Sequence, residues 1–227
     1  MIEIHPLEGI PEVRPGDDLA GLIATSAEAS GGLVADDVVV VTQKVVSKAE
    51  GRLVPATEKS SAVQAESVRV LRRSGTMLIS ETRQGFVCAN AGVDESNVGD
   101  GNLALLPLDP DASARRLRSR LEHLGGVDIA VIVSDTFGRP WRSGQTDVAI
   151  GIAGVAPFLD YVGTEDTEGK VMTATRICVA DELAGAAELV MGKTRRVCAA
   201  IVRGAMVTRA RATATEIVRP VEQDLFR

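Results

Sequence analysis

The run Val127-Asp-Ile-Ala-Val-Ile-Val-Ser134 constrains this chain more than any other stretch. It is short, almost wholly apolar, and bounded by Gly125-Gly126 on one side and a polar segment on the other. That combination reads as a central strand of a sheet. Asp37-Val-Val-Val-Val-Thr42 is a second strand, and its unbroken apolar run suits burial on both faces. Such strands often deliver functional groups at their carboxyl ends. The first is followed by Asp135-Thr-Phe-Gly-Arg-Pro-Trp-Arg-Ser-Gly-Gln-Thr-Asp147, read as a loop. It holds a carboxylate next to a hydroxyl, two arginines (Arg139, Arg142) and the only tryptophan of the chain. Hard oxygen ligands beside guanidinium groups suit a Mg²⁺ or Mn²⁺ ion holding a phosphate.

The rest of the chain alternates helical and strand-like patterns. Residues 2–7 read as a short strand. Asp17-Asp18 can cap a helix whose Leu19, Leu22 and Ile23 share one face. Residues 58–73 read as a helix with Val63, Val70 and Leu71 inward, ended by Gly75. Residues 77–80 and 85–89 look like paired short strands, and 103–107 another. Asp109-Pro110-Asp111 has the cap, first-position proline and acid of a helix start. Leu117, Leu121 and Leu124 form that helix's inner stripe, and Gly125 closes it. Residues 146–155 fit a helix or a strand equally. A polar loop over 161–170, a strand over 170–180, an Ala-rich helix over 181–191 and a strand over 197–203 follow. That Ala-rich helix turns Leu183, Ala187 and Val190 inward. Short strand pairs interrupt the alternation, which predicts an α+β fold on a mixed sheet rather than a regular doubly wound one.

Composition removes several function classes. A net charge of −6 gives no reason to expect a nucleic-acid surface. Arg115, Arg116, Arg118 and Arg120 read as the wet side of a helix. Cys88, Cys178 and Cys198 are widely spaced and odd in number, which argues for small buried hydrophobes in a reducing cytosol and against disulfides. With only His5 and His123, neither a His-rich zinc site nor a Ser-His-Asp or Cys-His constellation is arguable, and His123 suits the end of a helix. The start Met1-Ile-Glu-Ile-His-Pro lacks a basic region and is not a signal peptide. No apolar run approaches the ~20 residues of a membrane span. A cytoplasmic enzyme or binding protein is expected, without the GxxxxGK[ST] or strand-following GxGxxG of the common nucleotide folds.

Two loops offer oxygen ligands after apolar strands: Asp94 with Ser96 and Asn97, and Asp135 with Thr136. Two carboxylates from separate loops could share one or two divalent cations. Equally, Asp94 and Asn97 could simply shape a turn. Lys44 and Lys48 follow a strand end, where they meet phosphate as point charges or line a solvated helix face.

These stretches resemble the coenzyme F420-0:L-glutamate ligase (F420 γ-glutamyl ligase) family. The resemblance runs through Gly9-Ile-Pro-Glu-Val13, Val39-Val-Val-Thr-Gln-Lys-Val-Val-Ser-Lys48 with Glu50-Gly-Arg, and Gly85-Phe-Val-Cys-Ala-Asn-Ala-Gly-Val-Asp-Glu-Ser-Asn-Val98. It continues through Ser134 to Asp147 and Val179-Ala-Asp-Glu-Leu-Ala184, in family order over nearly the whole chain. It implies a mixed-sheet ligase fold of two intertwined lobes, one ligase domain over residues 1–227, and no nitroreductase-like C-terminal domain of the kind some actinobacterial relatives append. The implied activity is a GTP-dependent amide ligase. A carboxylate of the deazaflavin phospholactate F420-0 is activated as an acyl phosphate and attacked by the amine of L-glutamate. F420-1, GDP and phosphate result, and further rounds lengthen a γ-linked tail. Mg²⁺ or Mn²⁺ (two ions), K⁺ and a homodimer are implied with it.

By position, the resemblance makes Asp94, Asp135 and Thr136 metal ligands, and Ile10, Pro11, Glu12, Val13, Gln43, Lys48 and Asn97 the GTP-binding set. Lys48 would stabilise charge on the transferring phosphate. Arg139, with Arg142, would hold the phosphate or carboxylates of F420-0. Three departures stand out. Gln43 replaces a frequent Ser, and Lys193 stands where relatives carry Gln near the nucleotide and metal, a place where a charged Lys cannot be a ligand. Residues 53–68 form a shorter region than in many relatives. Two other readings remain: a non-catalytic paralogue that binds GTP or deazaflavin, and a ligase of the same mechanism acting on another carboxylate.

Overall fold

The computed structural model describes residues 1–99 and 101–225. The chain opens with strand β1 (Glu3–Pro6), helix α1 (Leu19–Glu28) and strand β2 (Val38–Thr42), which runs straight into the short helix α2 (Gln43–Ala49). Next come β3 (Leu53–Pro55), α3 (Lys59–Glu66), β4 (Ser67–Ser74), β5 (Met77–Thr82), β6 (Val87–Ala89) and β7 (Asn102–Ala104). Helix α4 (Pro110–Gly125) leads to the long hairpin β8 (Ala130–Arg139) and β9 (Arg142–Ala153). A small pair, β10 (Leu159–Asp160) and β11 (Arg176–Ile177), precedes α5 (Val179–Met191) and β12 (Ala199–Arg203).

The main sheet has the order β1-β12-β2-β8-β9. β2 and β8 pair in parallel, and their neighbours are antiparallel. This is the mixed α+β sheet that the sequence pattern predicts. The four valines of β2 explain its central place. Val39 and Val41 pack with Leu19 and Ile23 of α1 and Leu117 and Leu121 of α4. Val38 and Val40 pack with Leu183, Ala184 and Ala187 of α5 on the opposite face. A strand sends alternate side chains to opposite faces, so this continuous apolar run fills both layers. At about 1.5–3 kcal/mol for each fully buried side chain of this size, the run outweighs local preferences.

Helix ends follow their sequence signals. Asp18 accepts from the Gly21 N–H at the start of α1, and Asp109 from the Ala112 N–H at the start of α4. The left-handed residue closing α4 is Gly126 (φ 68°), one position after the predicted Gly125. Leu124 is exposed rather than part of the inner stripe.

A third, smaller core gathers Ala62, Val63, Val93, Leu103 and Leu105 beneath the antiparallel pair β3–β7 and the β4-β5-β6 meander. Here the predicted helix over 58–73 fails from Ser67 onward, and β4 takes its place. Ser67 turns extended (φ −89°, ψ 125°) while its hydroxyl donates to the Val63 carbonyl and approaches Ser80 on β5. Pairing with β5, with an Arg69–Glu81 ion pair at 3.0 Å, prevails over helical periodicity, and Val70 ends exposed. Residues 170–180 hold only the two-residue β11 and the start of α5 instead of a long strand. Residues 146–155, ambiguous by period, lie mostly in β9. The tail carries two 3-10 turns, Ala214–Ile217 and Val221–Gln223.

All three thiols are free, and burial pushes them far up, Cys88 and Cys178 to about 12 and Cys198 to about 11. They behave as small hydrophobes. Among the described residues, no helix is long and apolar enough to cross a membrane.

Candidate functional site

Register builds the site. Thr42 of β2 pairs with Ser134 of β8, so α2 and Asp135 leave the parallel pair at the same level. The segment 135–147, however, is not a loop. β8 continues through Asp135 and Thr136 to Arg139, and β9 returns with Thr136 opposite Asp147. Val133 and Phe137 belong to the core beneath α1 and α4, whereas Ser134 and Thr136 both donate to Asp147, at 3.0 and 2.5 Å. The pleat therefore sends the adjacent Asp135 and Thr136 to opposite faces.

On the Asp135 face, Lys44 pairs with Asp94 at 2.8 Å and also donates to Ser96 Oγ. Asp94 Oδ1 accepts from the Ser96 N–H at 2.8 Å, which shapes a turn, and Oδ2 meets Lys44 and accepts from the Ser96 hydroxyl at 3.2 Å. Burial works to raise the Asp94 pKa, but Lys44 and Ser96 overcome it and hold the carboxyl below its ordinary value. Asp135 lacks such help. Burial, foremost, pushes it up to about 7, and repulsion from Asp94 and Asp147 adds to that. The Thr136 N–H and Lys44 pull the other way without prevailing.

Helix α2 does not present a solvated face. Gln43 and Ser47, one turn apart, are buried and bonded to each other at 2.9 Å, while the Gln43 Nε2 has no partner among the described residues. Lys48 is only 5% exposed. Its ammonium donates to Glu12 and, at 2.9 Å, to the Asn97 carbonyl, joining the N-terminal segment to the 94–99 turn. Within the segment 10–13, Val13 is buried and Ile10 packs on the main core, so Glu12 is the side chain that reaches Lys48.

On the Thr136 face lies Lys193, just past α5. Its ammonium donates to Thr136 Oγ1 and lies 3.3 Å from Asp147, itself 2% exposed. The Lys193 carbonyl accepts from Asn97 Nδ2 at 3.2 Å. A continuous polar chain thus runs Glu12–Lys48–Asn97–Lys193–Asp147, drawn from five separate stretches of sequence.

Arg139 and Arg142 stand apart. They face each other across the hairpin turn, both exposed, with Arg139 donating to the Ser143 carbonyl at 3.3 Å. Three residues of strand, roughly 10 Å, separate Arg139 from Thr136. The structure brings together Asp94, Asp135, Lys44, Lys48, Asn97 and Glu12, and leaves the arginines on an arm. Asp147 and Ser134 were not singled out from sequence. Reading 135–147 as a hairpin around Pro140-Trp141 would have set Gln145 opposite Thr136; the register shift between Gly138 and Arg139 brings Asp147 there instead.

Among the described residues, no three His, Cys, Asp or Glu side chains converge as around an ion. The donor set nevertheless suits a hard divalent cation. Asp94 and Asp135 are carboxylates close enough to repel, and Lys44 already answers part of their charge, whereas the Thr136 hydroxyl lies on the other face with Asp147 and Lys193.

Residues 9–70 and 55–204 match the family model described as F420-0:Gamma-glutamyl ligase. The coenzyme F420:L-glutamate ligase of Methanothermobacter thermautotrophicus is 41% identical over the whole chain and 99% of the relative. Those of Methanopyrus kandleri and Archaeoglobus fulgidus are 43% and 39% identical, again over the whole chain, covering 97% and 96% of the relatives.

Proposed function

The chain belongs to the F420-0:gamma-glutamyl ligase family, and from that premise we propose that it is a GTP-dependent ligase. It joins L-glutamate to coenzyme F420-0, and then to F420-1 in γ-linkage, through an acyl phosphate. The observation that supports this reading is the gathering of Asp94, Asp135, Lys44 and Lys48 where the parallel strands β2 and β8 end. Phosphoryl transfer from a nucleoside triphosphate needs fixed positive groups for the phosphates and hard oxygens for a cation, and both sit on one rim.

Lys48 is the charge-stabilising group. Glu12 and the Asn97 carbonyl use two of its three donors and fix the third, so little reorganisation is left for the moment when charge develops on the transferring phosphate. Gln43 Nε2, buried and without a partner among the described residues, is a donor for the nucleotide, and Asn97 fixes the turn beside it. Asp94 and Asp135 would hold Mg²⁺ or Mn²⁺, which when bound would neutralise phosphate charge and align the terminal phosphoryl group, while the Thr136 hydroxyl stands on the opposite face beside Asp147 and Lys193. Arg139 and Arg142, on their projecting arm, anchor the phosphate or carboxylates of F420-0. Homodimer formation and assistance by K⁺ belong to the same proposal.

The test is GDP release by the purified protein with GTP, Mn²⁺, L-glutamate and F420-0, each omitted in turn. Release should require all four and fall by two orders of magnitude or more in Asp135→Ala, the scale on which removal of a charge-stabilising group acts, about 2.7–4 kcal/mol. GTP binding without turnover would favour a non-catalytic paralogue. Turnover with a different acceptor would keep the mechanism and replace the substrate.

A further inference from the structure

The two faces of the rim differ in how their carboxylates are met. On the first, two carboxylates, Asp94 and Asp135, face one ammonium, Lys44. Asp135 has no ion pair among the described residues, so its carboxyl has no resident cation. On the second, Asp147 is matched by Lys193, and its other oxygen is occupied by the Ser134 hydroxyl. Thr136 Oγ1 donates to Asp147 and accepts from Lys193. Glu188, 3.7 Å from the same ammonium, adds an outer acidic group.

The position of Lys193 is set by its surroundings. Helix α5 ends at Met191, Gly192 follows with φ 60°, and Asn97 Nδ2 holds the Lys193 carbonyl from the opposite side. A divalent ion bound to Thr136 Oγ1 would meet this ammonium at hydrogen-bond range, and the two like charges cannot share the oxygen. From this geometry, and resting on the cation-dependent reading of the site above, we propose that Lys193 is the resident cation of the Thr136–Asp147 face. The chain accordingly loads a single divalent ion, at Asp94 and Asp135, instead of two. Lys193 is then a positioning residue: it keeps the Thr136 hydroxyl and Asp147 in place and sets the ion count of the site.

The experiment counts Mn²⁺ on the purified chain by the electron paramagnetic resonance of free Mn²⁺, with the metal alone as probe. Wild type should bind one ion per chain. Lys193→Gln, which replaces the charge by an amide oxygen, should bind a second at least tenfold more tightly than wild type can. Lys193→Arg, which keeps the charge, should remain at one. Circular dichroism of each variant checks folding, and the half-exposed Lys193 side chain makes both well placed to fold. Two ions on wild type, none on wild type, or an unchanged count in Lys193→Gln would overturn the proposal. The count is independent of the acceptor. One ion with no F420-0-dependent GDP release would leave this inference standing and defeat the proposed function, while two ions with full ligase turnover would do the reverse.

Discussion

Asp111 shows how much one side chain can join. It lies in the first turn of α4, nearly fully buried, and its Oδ1 accepts from the Ile152 N–H at 2.8 Å and the Ala214 N–H at 2.9 Å. Burial raises its pKa, and the two N–H bonds oppose that. From sequence it is an acid at the positive end of a helix, which is correct and incomplete. Its partners lie 41 and 103 residues away, beyond any local pattern. Asp111→Ala would strand two buried N–H groups, at about 1–3 kcal/mol each. We expect a loss of about 2–4 kcal/mol, seen as a lower urea midpoint with an unchanged slope. A loss under about 0.5 kcal/mol would mean that water replaces the carboxylate.

The elements that were legible are those whose burial pattern decides their form: β2, α1, α4, α5 and the core of β8. The hairpin was hidden because Asp135 to Asp147 is polar and glycine-bearing, which looks like a loop. Its strand character comes from pairing with β9, and neither strand declares that alone. β4 failed for the same reason in reverse, as a helical spacing of Val63, Val70 and Leu71 yielded to pairing with β5. The buried Lys48 was equally hidden, because its partners come from residues 12 and 97. At this scale the packing of α4 on β9 can be tested through glycine. A Cβ at Gly151 would stand 2.3 Å from the Pro110 carbonyl oxygen, a backbone atom that cannot step aside. A Cβ at Gly185 in α5 would meet its nearest atom, Thr146 Oγ1, at 3.4 Å. Gly151→Ala should destabilise by about 1–3 kcal/mol. Gly185→Ala should be neutral or stabilising by up to about 1 kcal/mol through helix propensity. Equal effects on thermal unfolding would refute the close approach.

For the molecule as a whole, the site trades stability for charge. Asp135 moves from 3.8 to about 7 on folding. Between those values the folded chain keeps a proton that the unfolded chain has released, so stability falls as pH rises through the window and stays lowered above it. The full shift corresponds to at most about 4 kcal/mol, since one unit is worth about 1.4 kcal/mol. Asp94, Asp18 and Asp128 are shifted down, so the stability they contribute is full above the ordinary carboxylate pKa and is lost as pH falls through their lowered values. The comparison that isolates Asp135 is metal-free wild type against Asp135→Asn, by urea unfolding from pH 4 to pH 8. The variant should gain on wild type steadily up to about pH 7 and hold that gain beyond it. Parallel profiles would show that Asp135 is not held protonated.

The hairpin arm carries one more consequence. Its turn holds Trp141, 85% exposed, with Arg139 and Arg142 on either side. The chain has no other tryptophan. Its indole emission therefore originates at a single known place, the tip of the arm. The unlabelled protein is its own optical gauge: colour and quenching of that light follow what the two arginines hold, with no tryptophan elsewhere to dilute the signal.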